Sequence, residues 1–128
     1  MTINVALAGA GAFGIKHLDA MSKIEDVRVV SIVGRTLEPT EEVAARYGIG
    51  HVTTDLAESL ALDEVDAVVL ATPTQMHAAQ SIACLHAGKH VEVEIPLCDN
   101  LADGRRVVEA QQQTGLVAMC GHTRRFNP

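Results

Sequence analysis

Residues 3–21 read INVALAGAGAFGIKHLDAM, and no other stretch constrains the fold as much. A β-branched, apolar run from Ile3 to Ala8 leads into Gly9-Ala10-Gly11-Ala12-Phe13-Gly14, after which helical periodicity takes over at once. The glycines therefore join a strand to a helix. A bare GxGxxG pattern says little, because glycines recur in any loop. Between a strand and a helix, at the start of a βαβ unit, each glycine has a task. Gly9 permits the tight turn, Gly11 lets a diphosphate approach the backbone, and Gly14 lets helix and strand pack closely. Unpaired N–H groups at the helix start, at the positive end of its dipole, then face the anion. The segment predicts a dinucleotide site, with Gly9, Gly11, Ala12, Phe13 and Gly14 against the ligand.

The rest of the chain alternates between strand and helix patterns. Strands are expected at 27–33, 49–53, 66–71, 90–93 and 116–120, and helices at 39–47, 56–61, 75–87 and 101–114. Gly48 and Gly88 close two helices, Asp55 caps a third, and Asp99 or Asn100 opens the last. Strands alternating with helices imply right-handed crossovers and a parallel sheet. The expected fold is α/β: a Rossmann-type, doubly wound, three-layer αβα sandwich. Composition agrees. Hydrophobic residues make up 48% but aromatics only 2%, so the core must be built from Val, Ile, Leu and Ala, as in sheets covered on both faces.

Ten basic against sixteen acidic side chains leave a net charge of −6, which argues against nucleic acid or anionic membrane as a partner. No apolar stretch approaches the ~18 residues of a spanning helix, and the N-terminus lacks the charged and apolar regions of a signal peptide. A cytoplasmic location is expected. The three cysteines, Cys84, Cys98 and Cys120, are odd in number and lack metal-ligand spacing, so neither a disulfide framework nor a metal site is expected.

The residue that selects the ribose should lie about 20 residues beyond the glycine loop, at the end of the second strand. That position is Gly34, followed by Arg35 and Thr36. A carboxylate there would hold the ribose hydroxyls and repel a 2′-phosphate. Glycine instead leaves room, arginine offers a planar charged fork and threonine a hydroxyl. NADP is therefore the expected coenzyme. The other reading, an Arg35 stacked on adenine or solvated, leaves NAD acceptable. After the fourth strand come Thr72-Pro73-Thr74-Gln75-Met76-His77, at the carboxyl edge where such sheets bind ligands. Thr72, Pro73 and Thr74 are expected beside the coenzyme. His77, in the first turn of the next helix, is expected to face the crevice as a catalytic or coenzyme-binding group, or else to be a packing or capping residue. Pro73 and Pro96 hold the two loops in place.

The glycine loop, TPTxxH, GKHVxxExP and the terminal GHTRRFNP together resemble the N-terminal domain of the Gfo/Idh/MocA (glucose–fructose oxidoreductase/inositol dehydrogenase) family. The resemblance covers essentially the whole chain, in order. It implies a Rossmann domain followed by an α/β domain that completes the active site, carries an Asp/His catalytic pair and often mediates oligomerisation. Residues 1–121 are then the nucleotide-binding domain, and 122–128 the start of a connection to a substrate domain absent from this chain. On that reading the abrupt ending is a truncation, and the full-length protein is a homo-oligomer. One departure stands out. The family's Glu-Lys-Pro motif, with lysine beside nicotinamide and substrate, is here Glu94-Ile95-Pro96. Isoleucine can neither donate a hydrogen bond nor share a proton, which puts the usual lysine-assisted alcohol oxidation in question.

This EIP variant is similar to a branch of the family that uses NADP to oxidise the cyclic hemiacetal of a carboxylated muconate semialdehyde. A small acidic substrate follows from that resemblance. His122, Arg124 and Arg125 are the expected substrate-binding residues, Arg124 and Arg125 facing its carboxylates. The two arginines could equally bridge domains or face solvent. Glu94 is expected to orient nicotinamide or substrate, or else to be a buried carboxylate held by backbone N–H groups. Two further functional readings stand beside the acidic-semialdehyde dehydrogenase: a stand-alone NADP-binding or redox-sensing module, and a sugar or cyclitol dehydrogenase.

Overall fold

The computed structural model describes all residues, Met1–Pro128. In chain order the elements are β1 (Ile3–Ala8), α1 (Ala12–Met21), β2 (Val27–Val33), α2 (Leu37–Tyr47), β3 (His51–Thr53), α3 (Leu56–Leu60), β4 (Ala67–Leu70), α4 (Thr74–His86), β5 (His90–Glu94), α5 (Leu101–Thr114), β6 (Ala118–Gly121) and a 3-10 turn over Thr123–Phe126. The six strands form one sheet in the order β3-β2-β1-β4-β5-β6, with every pairing parallel. This is the expected doubly wound α/β architecture. After β3 the chain returns to the far side of β1. The loops after β1 and β4 therefore leave in opposite directions and open a crevice at the carboxyl edge.

Side chains alternate across the sheet and feed two cores. On one face Val5, Leu7 and Ile32 pack against Leu18 and Met21 of α1 and Val43 and Ala44 of α2. On the other, Ala6, Val68, Leu70, Val91 and Val93 meet Cys84 and Leu85 of α4 and Ala110 of α5, with Leu56 and Leu60 of α3 at the margin. Aliphatic and small residues fill both layers, as the scarcity of aromatics requires.

Most boundaries fall where the sequence puts them, and the exceptions have local causes. Helix α2 begins at Leu37 rather than at residue 39, because Pro39 is accommodated in the first turn, where a missing N–H costs nothing. Strand β3 starts at His51 rather than 49, because Ile49 turns back into the α2 core and donates its N–H to Ala44 O, 2.9 Å away. Strand β6 begins at Ala118 rather than 116. The Leu116 carbonyl accepts from Gln111 Nε2 (2.9 Å) and the Val117 N–H donates to His90 Nδ1 (3.0 Å), so neither group serves the β6 ladder. Asp55 caps α3 as expected, accepting from the Ala57 N–H at 3.0 Å, and of the two candidates before α5 it is Asn100 that caps. No helix is long and apolar enough to cross a membrane.

Candidate functional site

The crevice at the β1/β4 switch holds a cleft of about 980 Å³. Its floor is the glycine loop, Gly9 to Gly11. One wall is Gly34, Arg35 and Thr36 with the inner face of α2, and the other is Ala71, Thr72 and Pro73. Gly9 has φ +108°, and a Cβ there would collide with the Ala71 carbonyl, so loop and β4 end touch backbone to backbone. A Cβ on Gly14 would collide with the Gly9 carbonyl, so the first turn of α1 is pressed onto the loop. Gly11 is different. Nothing lies within 4 Å of the position its Cβ would take, leaving the approach to the helix start open. The Ile15 N–H donates to Gly11 O at 3.0 Å, while the N–H groups of Ala12, Phe13 and Gly14 come before any helical carbonyl. Gly11, the N-cap, has no side chain to cover them. The combination of open space, unpaired donors and a positive helix end fits a diphosphate. Phe13 is 51% exposed, and Lys16 Nζ lies over its ring, 5.4 Å from the centroid.

Gly34 follows β2 directly, its N–H donating to Thr53 O at 3.0 Å. Arg35 and Thr36 are exposed at the cleft rim, and Arg35 makes no ion pair. Thr36 is the N-cap of α2 but its hydroxyl does not cap, so the Leu37 and Glu38 N–H groups at this helix start have no side-chain partner, and Pro39 has no N–H to offer. Glu38 sits in the same turn. On the opposite wall the Thr72 hydroxyl donates to Gln80 Oε1 at 2.6 Å.

Of the two readings of His77, a group facing the crevice or a packing residue, its side chain takes the second and does not face the crevice. It is 1% exposed, with Nδ1 2.7 Å from Pro96 O and Nε2 2.7 Å from Thr72 O. Carbonyls only accept, so both contacts are hydrogen bonds only when the ring carries both protons. The ring thus ties the loop after β4 to the loop after β5. The residue lies in the first turn of α4, as its spacing predicts, and the direction of its side chain depends on a carbonyl 19 residues away.

Glu94, at the end of β5, is 7% exposed and is held by a side chain rather than by backbone N–H groups. Its Oε1 lies 2.7 Å from His17 Nε2 on α1. Glu92, two residues earlier and so on the same face of β5, completes a cluster with this pair. Burial pushes the Glu92 carboxyl up to about 6, against the lowering effect of His17 and His77 and with that of Glu94. Its Oε2 is buried without a hydrogen-bond partner. Sequence reasoning missed His17, Thr40, Met76, Gln80 and Glu92. Only His17, one turn past the glycine loop, carried a signal that could have found it.

The cleft gathers Gly9, Gly11, Gly34, Arg35, Thr36, Thr72 and Pro73; Ala12, Phe13, Gly14, Thr74, His77 and Glu94 lie outside its lining. His122 precedes the final 3-10 turn without a side-chain capping bond, and Arg124 and Arg125 lie within it, all three exposed and without ion pairs. Ile95 is 39% exposed at the edge where the family lysine would stand. Among the cysteines, Cys84 is fully buried, and burial raises its thiol to about 12.

Residues 3–122 match the family model described as an oxidoreductase family with an NAD-binding Rossmann fold. The chain is 62% identical over 126 residues to a 4-carboxy-2-hydroxymuconate-6-semialdehyde dehydrogenase from Sphingobium sp., covering 98% of this chain and 40% of that protein. It is 36% identical over 127 residues to an inositol 2-dehydrogenase from Rhodococcus erythropolis, covering 98% and 37%. The structure superposes with a TM-score of 0.92 on a 3-ketoreductase from Actinomadura kijaniata solved with TDP-benzene and NADP, at 26% identity, over 100% of this chain and 40% of that one. The chain thus spans about two fifths of the length of these relatives. Strand order, glycine loop and family match agree: this chain is an NAD(P)-binding Rossmann domain of the Gfo/Idh/MocA oxidoreductase family.

Proposed function

We propose that this chain is the coenzyme-binding part of an NADP-dependent dehydrogenase that oxidises the hemiacetal of 4-carboxy-2-hydroxymuconate-6-semialdehyde to 2-pyrone-4,6-dicarboxylate. The observation that carries the coenzyme choice is the wall formed by Gly34, Arg35 and Thr36. Positions 34–36 carry no carboxylate, an unpaired guanidinium stands at the rim, and the first turn of α2 is uncapped; Asp55 also lines the cleft, but its Oδ1 is engaged by the Ala57 N–H. A 2′-phosphate is suited by all three, through a bidentate charged fork, a hydroxyl and helix N–H donors. The Glu38 carboxylate, exposed in the same turn, opposes it in part. The substrate follows the Sphingobium relative, which shares the larger part of this sequence.

When bound, NADP supplies the two-electron acceptor for the substrate carbon. The glycine loop binds the diphosphate through the N–H groups of Ala12, Phe13 and Gly14. Thr72, Pro73 and Thr74 flank the coenzyme, and His77 keeps that loop in register with Pro96. Glu94 immediately precedes Ile95, where the family lysine would stand, and with His17 bonded to it orients the ligand at that edge. His122, Arg124 and Arg125 present positive charge to the substrate carboxylates. Residues 1–121 form the coenzyme domain, and 122–128 begin the connection to a substrate domain. The full-length protein works in the cytoplasm as a homo-oligomer on a small acidic molecule.

Titration with NADPH and NADH tests the coenzyme, with NADPH expected to bind at least tenfold tighter. Arg35→Ala should remove a charge-assisted contact of about 1.5–3 kcal/mol, or roughly ten- to a hundredfold in Kd for NADPH. Equal affinities in the parent, or an unchanged preference in the variant, would refute the NADP reading. Full-length protein supplied with the semialdehyde should form NADPH. Turnover of inositol alone would favour a cyclitol dehydrogenase, and tight NADPH binding without any turnover a sensing module.

A further inference from the structure

Glycine at position 34 is not required by its backbone. The glycines with left-handed φ are Gly9, Gly48, Gly88 and Gly115, and Gly34 is not among them. What excludes a side chain is Thr40, on the inner face of α2 and 2% exposed. A Cβ on Gly34 would overlap Thr40 Oγ1 and lie 2.8 Å from both Thr40 Cβ and Cγ2. Turning the threonine about χ1 does not relieve this, because its Cβ stays in place. The hydroxyl is also engaged, donating to Thr36 O at 2.7 Å. Nor can position 34 swing aside, since its N–H is tied to Thr53 O of β3.

We infer that Thr40 is a specificity-determining residue for the coenzyme: by filling the space a side chain at position 34 needs, it bars a ribose-binding carboxylate from the end of β2. It acts through position 34 and is therefore a positioning residue. The interlock also seats the first turn of α2, with Arg35 and Thr36 leading into it, directly on the end of β2 with no side chain between them. This inference rests on the NADP reading of Gly34, Arg35 and Thr36 and names the residue that maintains it. Alanine at position 40 would keep the Cβ and so the 2.8 Å clash, whereas glycine would clear it.

The experiment is a double-mutant cycle in the full chain, comparing Gly34→Asp, Thr40→Gly and the two together by calorimetric titration with NADPH and NADH and by Tm. Gly34→Asp alone should lower Tm and weaken both coenzymes at least tenfold. Thr40→Gly alone should lower Tm modestly and keep the parent's NADPH preference. The double variant should bind NADH at least tenfold tighter than Gly34→Asp and prefer it to NADPH. A purely structural role for Thr40 would shift Tm but not this ratio. Should Gly34→Asp fail to fold, Gly34→Ala tests the same clash, with its loss of Tm and of NADPH affinity relieved by Thr40→Gly. A Gly34→Asp protein with parental Tm and NADH preference overturns the inference, as does a double variant no better than the single. A parent that binds both coenzymes equally defeats the NADP reading alone, because coupling between positions 34 and 40 is still read from Tm and NADH affinity.

Discussion

Replacing Glu92 by Gln should stabilise the protein at neutral pH and leave it unchanged in acid. Burial raises this carboxyl from its ordinary 4.5 to about 6, and His17 and His77 only partly offset the effect of burial and of Glu94. The folded chain therefore holds the proton more tightly than the unfolded chain does. Between about pH 4.5 and 6 the folded state binds more protons, so stability falls as pH rises through that window. Above it the cost of the buried charge is fully present. A rise from 4.5 to about 6 corresponds to about 2 kcal/mol at full strength. The residue is only partly buried, and solvent screening reduces this to roughly 1 kcal/mol. Glutamine keeps the shape and cannot ionise. Urea unfolding at pH 4 and pH 7.5 measures the difference. The two proteins should unfold together at pH 4, and the variant should be more stable by about 1 kcal/mol at pH 7.5, or roughly 3–5 °C in Tm. Parallel pH profiles between 4.5 and 6 would refute the reasoning, because the titration would then belong to another group.

The remaining predictions concern single contacts. Asp55→Ala removes the acceptor for the Ala57 N–H and should cost about 1 kcal/mol in urea unfolding, while Asp55→Asn should recover most of it. Leu70→Ala opens a void at a fully buried position and should cost about 2–5 kcal/mol, against less than about 0.5 kcal/mol for Met119→Ala, whose side chain is 55% exposed. A thiol reagent at pH 8 should label Cys98 well before Cys84, whose thiol is buried and raised to about 12. Equal rates would mean that α4 opens freely. Gly14→Ala should abolish NADPH binding, because the new methyl group forces α1 off the Gly9 carbonyl; retained affinity would show that the loop can yield.

The sheet was legible because its signals are local. A β-branched run, a glycine loop and a helical period lie side by side in β1 and α1, and Asp55 caps a helix from one residue away. What remained hidden depends on residues far apart in sequence. Glu94 meets His17 across 77 positions, and His77 meets Pro96 across 19. No periodicity reports such partners. Thr40 carries no signal of its own, since nothing in the chain says that Gly34 lies beneath it. Glu92 alternates with Val91 and Val93, so its sequence context reads as an exposed strand face. Its partial burial comes from His17 and from Gly121, where an added Cβ would strike Oε1.

The contact between His17 and Glu94 has a mechanical consequence. One partner rides on the helix that leaves the glycine loop, the other on the strand that delivers Ile95 and Pro96. On the proposed coenzyme reading, a dinucleotide stretched along the carboxyl edge registers with both at once, its diphosphate at one mark and its reactive ring at the other. A short bond between these elements, added to the β1-β4-β5 pairing, fixes the interval between the two marks. The domain then measures its ligand as a gauge block measures a gap, before any substrate arrives.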